Sequence, residues 1–111
     1  MINKALIIKI LEKYLLDLQM RENRFDQSEL NATLRCIDFI NDNDKINSEW
    51  VISNSSVLSR ATEYYRKILK NEIEEARAYN DCEALATLRN EREQLLRFVG
   101  FLTNITQQFQ V

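Results

Sequence analysis

Along almost the whole of this chain apolar side chains recur at intervals of three and four residues, the spacing that puts them on one face of an α-helix. The first run spans about Ile2 to Met20, where Ile7, Ile8, Leu11, Tyr14, Leu15 and Leu18 form one stripe. A second set, Ile2, Leu6, Ile10, Leu16 and Met20, covers much of the opposite side and leaves a narrow polar lane for Lys9, Lys13 and Asp17. A helix that is apolar on two sides is expected to lie between neighbours, within a bundle or across an oligomer interface.

The polar stretch RENRFDQSEL follows, and in it Asp26 and Glu29 stand at capping-box spacing ahead of Leu30, Leu34, Ile37 and Ile40. This predicts a second helix over about 27–41. It ends in NDNDKINS, residues 41–48, whose short polar side chains compete for backbone hydrogen bonds and favour turns. Residues 49–56 fit either a short helix carrying Trp50 or an early start of the next helix, interrupted at Asn54; in both cases Trp50 is a half-buried anchor. From Val57 the helical period holds through Ala61, Tyr64, Tyr65, Ile68, Leu69, Ala76 and Tyr79. Asn80 and Glu83 then repeat the capping-box spacing, which predicts a tight corner near 79–82. In the last segment Ala84, Leu88, Leu95, Phe98, Leu102, Ile105 and Phe109 follow alternating steps of three and four, with Glu91 in one of the apolar slots. The pattern predicts an all-α, single-domain bundle of about four helices over 1–111, with a long, coiled-coil-like antiparallel hairpin of 57–79 and 82–108.

Composition narrows the chemistry. A chain of 111 residues can bury one core, and 45% apolar with 29% charged residues is the balance of a folded soluble domain. Fifteen basic against seventeen acidic residues, a formal charge of −2, is neither the footprint of a typical nucleic-acid binder nor the acidity of a DNA mimic. Without histidine the chain has no Ser-His-Asp or Cys-His set and no HExxH helix, and one glycine cannot build a Walker A or GxGxxG turn. Cys36 and Cys82 have neither CxxC spacing nor a histidine to complete a zinc set, and read as reduced thiols of a cytosolic protein. Lys9, Glu12 and Lys13 interrupt the amino-terminal apolar run, so neither a signal peptide nor a membrane span is expected. Asp42 and Asp44 alternate like the first ligands of an EF-hand, but Asn47 and Ser53 stand where that loop needs glycine and glutamate, so a plain loop is expected.

What remains is carboxylates and cations. If the hairpin turns near 80, Glu72 comes level with Glu91, with Arg89 and Arg92 beside them. Such a pair could raise one carboxyl pKa for acid/base work. Because no histidine, cysteine or further acid points inward nearby, the favoured reading is a polar layer of Glu72, Glu91 and Arg92 that fixes hairpin register. No catalytic, metal-binding or cofactor-binding residue is assigned, and no enzyme is expected. Arg60, Arg66, Lys67, Lys70 and Arg77 share the outer side of 57–79, with Glu63 and Glu74 interleaved, which reads as a mixed solvated face before it reads as a phosphate track.

The stretch NEREQLLRFVGFL, residues 90–102, passes from charged to apolar. Leu95, Phe98, Val99, Leu102 and Ile105, widened by Leu96 and Phe101, cover more of the helix than one partner can bury. Gly100, the only glycine, falls opposite the centre of that sector and costs about 1 kcal/mol against alanine. It marks a kink or helix end, a close approach of a second chain, or an exposed site that tolerates it. The apolar excess predicts a partner-docking surface of Leu96, Phe98, Phe101, Ile105, Phe109, Ile10 and Leu16. The expectation is a small cytoplasmic interaction protein without cofactor, a homodimer and an accessory or regulatory inhibitor of phage or mobile-element type. The alternative is a nucleic-acid-associated protein using the basic side of 57–79.

Overall fold

A computed structural model of the chain describes residues 3–20 and 27–108. Among these residues there are five helices and no strand: α1 (Lys4–Met20), α2 (Gln27–Asp42), α3 (Ser48–Ser53), α4 (Ser55–Ala78) and α5 (Cys82–Gln108). The all-α bundle is the one the apolar pattern predicts. The fifth helix is the addition.

That addition, α3, resolves the ambiguous stretch at 49–56. The Asn47 side chain accepts from the Trp50 amide at 2.9 Å and so caps the first turn. Asn54 then serves as the joint between α3 and α4. Its amide and its side chain both donate to the Trp50 carbonyl, at 3.1 and 2.9 Å, while its own carbonyl accepts the Leu58 amide at 3.0 Å. Local hydrogen bonding by asparagine here ends one helix and begins the next within a single residue. Helix α4 therefore starts at Ser55, two residues earlier than the period of its apolar face suggests.

The corner before α5 lies where expected but is built differently. Asn80 takes a left-handed backbone, φ 52, which asparagine tolerates, and the Asp81 amide closes back on the Ala76 carbonyl at 3.0 Å. The side chain that caps α5 is Asp81, which accepts from the Ala84 amide at 3.1 Å; Asn80 is the turn residue and not the cap. The Asp26 half of the other predicted capping pair lies outside the described residues.

Helix α4 is the hub, packing on α5 most extensively and also on α1, α2 and α3. Its Leu58, Ala61, Tyr65 and Leu69 join one buried cluster that runs from Leu6 in α1 to Ile105 in α5. Each fully buried leucine or isoleucine in that cluster contributes about 1.5–3 kcal/mol. Helix α1 lies between α2 and α4, which explains its two apolar sides: Leu6 and Ile10 turn one way, Ile7, Leu11 and Leu18 the other, and all five are buried. The buried hydroxyls of Thr33 and Thr62 are satisfied by the carbonyls one turn back, Glu29 at 2.8 Å and Leu58 at 2.6 Å. Among the described residues no buried side-chain nitrogen or oxygen lacks a hydrogen-bond partner.

Candidate functional site

Two carboxylates, Glu91 and Glu29, are drawn inward, and neither takes the partners that the sequence pattern suggests. Glu91 of α5 accepts from the Lys9 ammonium of α1 at 2.5 Å and from the Tyr65 hydroxyl of α4. Burial pushes its carboxyl up, but the hydrogen bonds from Lys9 and Tyr65, together with the charges of Lys9 and Lys13, outweigh it and hold the carboxyl below its ordinary value. The Tyr65 phenol is pushed up, by burial first and then by the hydrogen bond and charge of Glu91, with Glu72 adding to it. Glu72 thus lies within electrostatic reach of this cluster, while Arg92 does not join it. Arg92 is exposed and lines the opposite groove. The predicted layer of Glu72, Glu91 and Arg92 is therefore not assembled. Its cation comes from α1, which crosses this side of the hairpin, and one residue of helix turns Arg92 about 100° away from Glu91.

The second network joins α1, α2 and α4. Glu29 of α2 is buried and accepts from the Tyr14 hydroxyl of α1 at 2.6 Å and from Arg60 of α4, with Nη2 at 2.6 Å and Nε also in contact. Burial first, then the hydrogen bond and charge of Glu29, push the Tyr14 phenol up to about 12, against the opposing pull of Arg60. The signal was present in the spacing: Glu29, Thr33, Cys36 and Ile40 share the buried face of α2 at steps of four, three and four. Its position three residues after Asp26 drew it to a capping role instead.

Both carboxylates thus accept from a tyrosine and a cation on other helices. The arrangement ties helices together through both carboxylates. Among the described residues no three of Cys, Asp and Glu are grouped so as to hold a metal ion. Neither cysteine is bridged: Cys82 is exposed, and buried Cys36 donates to the Asn54 side chain at 3.4 Å, its thiol pushed up to about 11 chiefly by burial.

The predicted docking residues divide. Ile10, Phe98 and Ile105 are buried in the core, and Phe101 is half-buried with its ring stacked on Phe98 at a centroid distance of 6.4 Å. The reason is that α5 packs on α3 as well as α4, so its wide apolar sector is covered within the chain. Leu16 and Leu96 stay at the surface, 55% and 43% exposed, and Met20, one turn beyond Leu16, is 72% exposed. Phe109 lies outside the described residues. Gly100 is exposed in the course of α5, which runs on to Gln108, and a Cβ placed there would meet no atom within 4 Å. The helix does not end at the glycine.

The cations also divide. Arg60 is engaged by Glu29. Arg66, Lys67, Lys70 and Arg77 instead form one wall of an open groove of about 510 Å³ between α4 and α5, with Arg92 on the other wall, Glu63 and Glu74 among them and buried Ile73 at the base. Among the described residues none of these five cations is in an ion pair. From Glu63 the groove continues past Ser59, Thr62, Val99, Leu102 and Thr103. No protein-family model, curated protein or solved structure matches this chain.

Proposed function

We propose that this chain is a small non-enzymatic protein–protein interaction protein, a cytoplasmic accessory or regulatory inhibitor of the kind that phages and mobile elements carry, and that it acts as a homodimer. One observation carries the reading: Leu16 and Met20 stand one turn apart on the outer side of α1, more than half exposed, while the helix's other large apolar residues turn inward. Commitment of Glu29 and Glu91 to internal networks supports the absence of catalysis. The cytoplasmic assignment is supported by two free thiols and by the lack, among the described residues, of any helix long and apolar enough to cross a membrane. Light scattering and pull-down with wild type and with Leu16→Glu/Met20→Glu test it. The variant is expected to lose self-association and partner capture while keeping its helicity. A wild type that is monomeric at tens of micromolar and captures nothing refutes it.

The unpaired cations between α4 and α5 favour a second reading, association with nucleic acid. It requires binding that falls steeply between about 50 and 200 mM salt.

A further inference from the structure

The α4/α5 groove gathers five cations that are in no ion pair among the described residues. Its five cations and two glutamates sum to +3 in a chain of formal charge −2, so the rest of the sequence sums to −5. On α4 the stripe recurs at Glu63, Arg66, Lys67, Lys70, Glu74 and Arg77, spacing that keeps it along one edge of the helix. From residue 63 to residue 77 it runs about 21 Å at 1.5 Å per residue. We propose that this groove is a docking site for an acidic segment of a partner protein. The inference rests on the reading of the chain as a protein-binding protein and gives the partner's chemistry.

Three features select an acidic polypeptide over a phosphate backbone. The two glutamates inside the stripe repel an uninterrupted run of phosphates, whereas a polypeptide can set a lysine, an arginine or a backbone amide against each of them. The rest of the sequence is net negative, which disfavours a long polyanion that must run on beyond the groove. The base is apolar at Ile73, and Val99 and Leu102 line the continuation beyond Glu63, so the groove offers buried contact to leucine-like side chains interspersed with acids. All five cations are exposed, so they can be reversed in charge without disturbing the core.

Fluorescence anisotropy tests this with a fluorescein-labelled 14-residue peptide of Glu and Leu residues, and with single- and double-stranded DNA 20-mers, at about 50 and 200 mM NaCl. The peptide is expected to bind at the lower salt and more weakly at the higher. Arg66→Glu/Lys70→Glu on one wall and Arg92→Glu on the other should each weaken it, the double variant by about tenfold or more. Lys45→Glu, in the loop before α3, is the charge-matched control for Arg92→Glu and should change nothing. DNA binding as tight as that of the peptide overturns the proposal in favour of a phosphate track. Failure of wild type to bind either probe, or binding indifferent to both groove variants, also overturns it. Partner capture that depends on Leu16 and Met20 in a protein that ignores the peptide removes the groove and leaves the interaction function standing.

Discussion

Replacing Gly100 with alanine should stabilise the protein. The residue lies within α5, flanked by helix on both sides and exposed, and its φ is not positive, so an alanine meets neither backbone strain nor a neighbouring atom within 4 Å. In a helix interior glycine is less favourable than alanine by about 1 kcal/mol, because its unfolded backbone has more freedom to lose and it shields the helix less. An unfolding entropy of about 2.1 cal/mol/K per residue over this length gives about 0.23 kcal/mol/K, so the change should raise Tm by about 4 °C. Thermal unfolding followed by circular dichroism at 222 nm, with urea titration as a second measure, reads this directly. The urea midpoint should move up with an unchanged slope, since the surface exposed on unfolding is nearly the same. A lower Tm would refute the reasoning. It would mean that the position is not open in solution and that another chain's backbone approaches it closely enough for a methyl group to collide.

The two internal carboxylate networks make separable predictions. Glu29→Ala leaves the Tyr14 hydroxyl and the Arg60 guanidinium without their acceptor and should cost about 2–3 kcal/mol, part of it relieved because Arg60 is half exposed, whereas Tyr14→Phe should cost about 1 kcal/mol; equal losses in urea unfolding would show that Arg60 adds nothing. The Glu91 carboxyl is held below its ordinary value in the folded protein, so its contribution is fully present above the ordinary carboxyl range and is lost as pH falls through the folded value. Urea midpoints at pH 7, 5, 4 and 3 should therefore fall more steeply for wild type than for Glu91→Gln on the acid side; parallel curves would refute an ionised, paired Glu91.

The helices were legible because the apolar period is strong and unbroken by proline, and the limits of α2 and α5 follow it to within a residue. Less legible was the joint at Asn54, whose side chain donates back to the Trp50 carbonyl while its own carbonyl accepts the Leu58 amide, so that one residue converts an ambiguous stretch into two helices. Partner choice was least legible. The sequence marks Glu91 as a seam acid, yet its cation, Lys9, is 82 residues distant, and periodicity within one helix carries no information about which other helix will cross it. The same limit explains Phe98 and Ile105. Their excess over what α4 can cover is visible in the sequence, but the six residues of α3 that help to take it up do not announce their position. The basic stripe reads as a solvated face because the sequence shows the interleaved glutamates and does not show that they leave the cations unpaired.

The pairing of α1 with the far end of the chain sets an order of events during synthesis. Lys9 meets Glu91, and the Asn3 side chain meets that of Gln94 at 3.4 Å. At about 5–20 residues per second, the 82 residues between Lys9 and Glu91 take about 4–16 s to translate. Over that interval α1 has α2 and then α4 to shelter its inward side chains, but the seam that α5 will close is open to water. A chain cut short before α5 would therefore keep the α1, α2 and α4 segments but lack the helix that covers the seam they leave open.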